Sequence, residues 1–207
     1  MVIKLVKLLL ASVIAISAQT ACGQNVFREG MIWKTETGNL SRRHMELAYI
    51  LDGDTLIGKT HALKLYCIKD GNTARRELRA IIRAEPDKVY FLSGSKPKKW
   101  ILLYDFSLKS GDGCHVGTIP PAGSMESTPK TTYVRCKRLI NSGDSGEHTV
   151  MIMEEPFEGN DCTGRWIKGI GGIQGILVNN GFCLDGRNTT LRQVTCGDST
   201  LYKTTKL

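Results

Sequence analysis

The sequence predicts an all-β fold: an antiparallel meander, closed in part into a barrel or folded into a sandwich. Three observations carry this. Turn signals recur along the 207-residue chain, at Asp52-Gly53, Asp70-Gly71, Pro86-Asp87, Asp112-Gly113, Ser142-Gly143, Asn180-Gly181 and Asp185-Gly186. The runs between them alternate with the period of two that puts one strand face in a core. Glycine supplies 22 of 207 residues, above the usual share of about 7%, which suits a turn-rich β protein. Strands joined by short turns pair antiparallel with their sequence neighbours.

The first element is not part of that fold. Residues 1–23 have the order of an export signal: Lys4 and Lys7, then an apolar core of 11 residues from Leu8 to Ala18, then Ala21-Cys22-Gly23 with small residues at the cleavage positions. This puts cleavage between Gly23 and Gln24. Lipidation at Cys22 is the alternative, since Thr20-Ala21-Cys22 fits the end of a lipobox, although Gln19 stands where leucine is expected. The apolar run is too short to span a bilayer and no other approaches the roughly 20 residues needed, so no transmembrane helix is expected. Residues 24–207 are read as one domain. An exported destination follows: periplasmic, outer-membrane-associated or extracellular.

Along the body, Met45, Leu47, Tyr49 and Leu51 alternate, and Leu63, Leu65 and Cys67 do the same. Leu102, Tyr104, Phe106 and Leu108 make the clearest strand, with Asp105, Ser107 and Lys109 assigned to its other face. Val150 to Met153 is an apolar run of strand length. Thr73 to Ala84 reads two ways: as a helix capped by Thr73, or as a strand with Leu78, Ala80 and Ile82 on one face. The proline-rich stretch Gly117 to Lys130 reads as a loop.

Cleavage leaves Cys67, Cys114, Cys136, Cys162, Cys183 and Cys196. An even number in an oxidising compartment reads as three disulfides, with Cys183–Cys196 favoured across a turn and Cys114 and Cys136 on either side of the loop. No C-x-x-C pair occurs and the four histidines are scattered, so neither a metal nor a redox cofactor is expected. The chain carries a formal net charge of +8. Its cations at Arg75-Arg76, Lys96 to Lys99 and Arg135 to Arg138 are interleaved with acids, which reads as a solvated surface and not as a nucleic-acid stripe.

Three blocks resemble a known pattern. Gly53-Asp54-Thr55-Leu56-Ile57-Gly58-Lys59 with Lys64-Leu65-Tyr66, then Leu102 to Asp112 (LLYDFSLKSGD), then Trp166-Ile167-Lys168-Gly169-Ile170-Gly171-Gly172 are similar, in this order, to a family of uncharacterised secreted proteins of Bacteroidetes-type bacteria. The resemblance runs from Ile32 to Cys183. It implies an all-β exported domain and an extended Arg76 to Arg83, and it implies no activity. The chain departs from the family pattern at Lys168, where glutamate is usual, and at Lys96 to Lys99, where the family is acidic.

No catalytic set emerges. Gly143-Asp144-Ser145-Gly146 is similar to a protease nucleophile loop, but Glu147 breaks the pattern and no histidine block supports it. Gly169, Gly171, Gly172 and Gly175 miss the G-x-G-x-x-G spacing, because Gln174 occupies the third position. Asp52 and Asp54 read as turn formers. Glu154 and Glu155 face opposite ways on a strand, and His115 stands alone. Trp100 and Trp166 are the candidates for ligand stacking, with packing as their competing role. The function expected is therefore non-enzymatic binding of a glycan, a peptide or an envelope protein. The alternatives are a hydrolase whose site only the fold assembles, or a structural envelope component.

Overall fold

A chain that alternates apolar and polar residues between frequent turns has one cheap way to satisfy its backbone: pair each strand with the next. The computed structural model follows this rule. It describes residues 26–38, 44–69, 71–119, 129, 131–142, 148–154, 164–177 and 188–204. The export signal, the Gly23/Gln24 junction, Cys22, Cys162, Cys183, Glu155, residues 143–146 and most of the proline-rich loop lie outside these.

The strands are β1 (Met31–Gly38), β2 (His44–Ile57), β3 (Thr60–Lys69), β4 (Glu77–Ala84), β5 (Lys88–Leu92), β6 (Trp100–Asp105), β7 (Gly113–Gly117), β8 (Thr131–Ser142), β9 (His148–Glu154), β10 (Gly164–Ile167), β11 (Gly171–Gly172), β12 (Asn188–Cys196) and β13 (Ser199–Lys203). They form two curled antiparallel sheets, each a half-barrel. The larger has the order β13-β12-β1-β2-β3-β4-β5-β6 and the smaller β11-β10-β9-β8-β7. Every hydrogen-bonded neighbour is a sequence neighbour except β1 and β12, so the C-terminal hairpin returns to complete the large sheet beside its first strand. No helix among the described residues is long and apolar enough to cross a membrane.

Several turn signals act otherwise than expected. Asp52-Gly53 is not a turn: β2 runs through it, and the two residues form a bulge between Leu51 and Asp54 with Gly53 at φ +83°. The reversal comes later, at Gly58-Lys59, where Ile57 pairs with Thr60. Thr73 to Ala84 divides between its two readings. Thr73–Arg75 is a single 3-10 turn, capped by Asn72, whose Oδ1 accepts from the Ala74 amide at 3.2 Å. The rest is β4.

Within β4 the simple alternation fails once. Leu65 pairs with Ala80 and Tyr66 with Leu78, so Arg79 is the extra residue of a bulge. Ala80 and Ile82 are buried, Leu78 is 51% exposed, and the Arg79 side chain is only 8% exposed, ion-paired to Glu77 at 3.3 Å. Burial pushes the Tyr49 hydroxyl well above its ordinary value there and raises the Cys67 thiol as well, and the nearby Arg79 charge partly offsets both.

The core is aromatic at its centre. Phe27, Trp33, Tyr104, Phe106 and Trp166 are all buried. Tyr104 stacks on Phe106 at 5.4 Å and meets Trp166 edge-on at 5.2 Å, while Phe27 lies 5.0 Å from Trp33. Such pairs add roughly 0.5–1.5 kcal/mol each beyond area burial. The polar ends of Trp33 and Tyr104 are satisfied by one segment, the glycine-rich turn after β10. Trp33 Nε1 donates to the Ile170 carbonyl at 2.7 Å. The Tyr104 hydroxyl donates to the Ile176 carbonyl at 2.9 Å and accepts from the Gly172 amide at 3.1 Å. Gly175, at φ +114°, sits where a Cβ would come within 2.8 Å of the buried Thr35 methyl. The glycines are therefore spaced for close approach to a tyrosine and a threonine, not for a dinucleotide.

The same turn joins the sheets. The Ile173 amide donates to Arg165 of β10, and the Ile173 carbonyl accepts from Leu191 of β12, at 3.0 and 2.8 Å.

Asp105 keeps the strand face its alternation assigns, opposite Tyr104 and Val89 and level with Lys88, but it is buried at the end of β6 and not exposed. Its Oδ1 accepts from the amide and hydroxyl of Ser107, and its Oδ2 meets Lys88 Nζ at 3.0 Å across the β5–β6 pair. Burial alone would raise its pKa. The Ser107 and Lys88 hydrogen bonds outweigh that and hold the carboxyl below its ordinary value, while Asp105 in turn raises Lys88.

Two predictions follow from these contacts. Tyr104→Phe leaves the Gly172 amide and the Ile176 carbonyl buried without a partner, and should lower stability by about 1–3 kcal/mol, read as a lower urea midpoint at unchanged slope. Asp105→Asn should cost a similar amount at neutral pH. Because the folded carboxyl titrates below the unfolded one, the wild-type advantage is complete above about pH 4 and fades as the pH falls through the lowered folded value. Denaturation of both proteins at pH 7 and pH 3 checks this, and a gap undiminished at pH 3 would contradict it.

Candidate functional site

The inner faces of both sheets are consumed by the core, so chemistry has to come from outer faces, edges or loops. The most developed outer face lies on β4, β5 and β6. Ala80, Ile82, Val89 and Phe91 turn inward, which leaves Arg83, Tyr90 and Trp100 on the other side. Register brings them together: Arg83 pairs with Tyr90, and Leu92 with Trp100. The Arg83 guanidinium carbon lies 4.2 Å from the Tyr90 ring centroid and 5.2 Å from that of Trp100. One Arg83 nitrogen meets Glu85 at 3.2 Å, and its Nε is buried with no hydrogen-bond partner. Two aromatic rings thus hold one guanidinium, a contact worth about 0.5–2 kcal/mol.

The loop joining β5 to β6 adds charge. Its base is stapled by Ser93, a buried residue whose amide donates to the Lys99 carbonyl at 2.8 Å and whose hydroxyl accepts from the Lys99 amide at 2.9 Å. Above this staple Lys96, Lys98 and Lys99 are all exposed, and no carboxylate among the described residues pairs with them. Farther across the same face, Arg76 lies 4.4 Å over the Tyr66 ring and pairs with Asp52. The face is therefore basic, aromatic and fixed by backbone pairing.

The two tryptophans named from sequence separate here. Trp100 lies half-buried on this face. Trp166 is fully buried against Tyr104 and Phe106 and offers no surface to a ligand, because β10 turns it into the core beside Met151. Arg83 and Tyr90 were not singled out from sequence. They are seven residues apart and meet only through the β4–β5 register, so no local pattern marks them.

The expected disulfides are corrected for the four described cysteines. Cys67, Cys114, Cys136 and Cys196 carry free thiols. None faces another across a strand pair: Cys67 opposes Tyr49 and Glu77, Cys114 opposes Val134, Cys136 opposes Met153, and Cys196 opposes Met31 and Ser199. Cys196 Sγ instead accepts from Arg28 Nε at 3.1 Å. Burial, reinforced by Asp105, pushes the Cys114 thiol up to about 11, and burial also raises Cys136.

The remaining candidates are local. His115 is exposed and meets Tyr133 edge-on at 5.2 Å across β7 and β8. His148 meets Tyr202 of β13 at 5.4 Å. Asp54 pairs with His61 at 3.3 Å across β2 and β3, and Glu154 pairs with Lys137 at 2.6 Å. Among the described residues no three His, Cys, Asp or Glu side chains converge to hold a metal ion. Ser107, a hydroxyl beside the Lys88-paired carboxylate of Asp105, spends its hydrogen bond on closing the Asp105 turn.

A thiol prediction follows. At pH 8 the folded protein should be alkylated at Cys114 at roughly a hundredth of the rate of the urea-unfolded chain, since the raised value cuts the thiolate fraction by about that factor. Site-resolved mass spectrometry reads this, and equal rates would show that the thiol is not held in its buried setting.

Comparison of the chain with protein-family models, with curated proteins and with solved structures gives no match.

Proposed function

We propose that this is an exported, non-enzymatic binding protein whose ligand is an anionic glycan chain, taken up on the outer face of β4, β5 and β6. The observation that carries the reading is the Arg83 guanidinium held by Tyr90, Trp100 and Glu85 beside a stapled loop of three lysines that pair with no carboxylate among the described residues. A planar guanidinium recognises carboxylate or sulfate oxygens through paired N–H donors, and its loss of freedom is already met by the two rings. Aromatic flanks suit sugar rings, whose C–H faces are apolar. Exposed lysines supply longer-range attraction, effective over about 8 Å at physiological salt.

The reading predicts selectivity by charge. A uronate-bearing or sulfated polysaccharide should bind, and a neutral chain of the same backbone should not. Raising salt from 0.05 to 0.5 M should weaken binding at least about tenfold through screening. Arg83→Ala should cost about tenfold, or roughly 1.4 kcal/mol, and Trp100→Ala about the same. Replacing Lys96, Lys98 and Lys99 with serine should flatten the salt dependence without lowering the melting temperature. Isothermal titration checks each outcome. Equal binding of neutral and anionic chains, or unchanged affinity in the Arg83 and Trp100 variants, would defeat the reading.

A further inference from the structure

β8 is twelve residues long, but β7 covers only its first half. The β7 pairing ends at Arg135 opposite Gly113, while β9 pairs along the other edge to Ser142. The turn before β7 takes up the next groups: the Gly111 amide donates to the Cys136 carbonyl, the Cys136 amide donates to the Asp112 carbonyl, and the Ser110 hydroxyl donates to the Lys137 carbonyl. From Arg138 to Ser142 that edge meets no strand among the described residues. Every side chain from Lys137 to Ser142 is exposed, and Leu139 and Ile140 are 44% and 38% exposed. An open strand edge with apolar side chains is a template for another strand.

We infer that this edge pairs with its own copy, joining two small sheets into one continuous sheet across a two-fold axis. The sequence selects the register. In an antiparallel pair related by a two-fold axis normal to the sheet, one residue must face itself, because paired residues share a face. An axis at Arg138 sets guanidinium against guanidinium. An axis at Leu139 needs Lys137, whose carbonyl is already taken by Ser110. An axis at Ile140 uses all five open residues: Ile140 faces Ile140, Leu139 faces Asn141, and Arg138 faces Ser142. It joins an apolar pair at the centre and sets each cation against a hydroxyl. A foreign strand would have no such match to an edge this short, and in this register Arg138 faces Ser142 of the other copy and not its own copy.

A seam of five residues a side is below standard interface size, so a weak dimer is expected, half-formed at about 10–100 µM. Sedimentation equilibrium of the purified protein over a range of concentrations measures it. Ile140→Lys, which brings two ammonium groups together on the axis, should weaken the dimer at least tenfold with an unchanged melting temperature. Ile140→Cys should cross-link into a covalent dimer under mild oxidant, faster than the parent protein with its native thiols, whereas Asn141→Cys, which does not face itself, should not. The ligand-face variants Arg83→Ala and Trp100→Ala should leave the dimer intact, so this inference and the glycan reading fail separately. A protein that stays monomeric at 10 times the expected range, a dimer indifferent to Ile140→Lys, or a monomer that instead sediments with anionic vesicles through Leu139 and Ile140 would each overturn it.

Discussion

The fold depends on a buried hydroxyl. Tyr104 stands at the centre of an otherwise apolar interior, and its oxygen has to be satisfied or the cluster around it cannot close. The turn after β10 does this by offering an amide from Gly172 and a carbonyl from Ile176 on either side of the ring. That demand shapes everything near it. The turn has to approach a bulky residue with bare backbone, which is why it is rich in glycine. Having come inside, it can also reach Trp33 of β1 and Leu191 of β12, and so it fastens the small sheet to the large one with directional bonds. Apolar packing between two curled sheets fixes their separation but tolerates sliding. Hydrogen bonds to a ring anchored in β6 fix their register.

The second constraint lies one residue further along. Asp105 is buried on the face opposite Tyr104 and would be costly there unpaired. Lys88 reaches it from the neighbouring strand, and Ser107 folds back onto it, so the carboxylate ends β6 and sets the direction of the next turn. Motif residues that look chemical, an acid beside a serine in a short block, are thereby committed to architecture. With the inner faces given to packing and the acid given to the turn, the outer face of β4 to β6 is left free to differ. That is where cations and aromatic rings accumulate, with Arg83 and Arg76 oriented by ring contacts and by the carboxylates of Glu85 and Asp52.

Much of the architecture was legible because antiparallel alternation is a local signal. Leu63 and Leu65 turn inward as their spacing says, and the run from Val150 to Met153 is a buried strand. Bulges defeated the rest. A single inserted residue exchanges the two faces of a strand, so Leu78 went out, Arg79 went in, and Asp52-Gly53 extended a strand it was expected to end. Nothing in the residues themselves announces a bulge, because it belongs to a pair of strands and not to one. The same reason hid the candidate site. Trp100 was visible as a lone aromatic, but Arg83 and Tyr90 join it only through cross-strand register. The cysteines misled differently: parity and export argue for pairing, while Cα geometry decides it, and each described thiol faces a residue that is not cysteine.

The free thiols also bear on where such a chain can persist. Disulfide formation needs thiolate, and thiolate needs either exposure or a neighbouring cation. Cys67 and Cys136 are buried, and Cys114 is held protonated by burial next to the Asp105 charge. Oxidation at these positions is therefore slow even in a compartment that favours it, and the fold keeps three side chains that pack as small apolar groups. Stability then rests on the core and on the Tyr104 and Asp105 networks, with no covalent staple among the described residues. A protein built this way gains little from rigid loops. It gains more from a rigid outer sheet, and a cation clamped between two rings on that sheet is the feature of this molecule best arranged to meet a repeating, charged chain, where many weak contacts along the polymer add up through effective concentration.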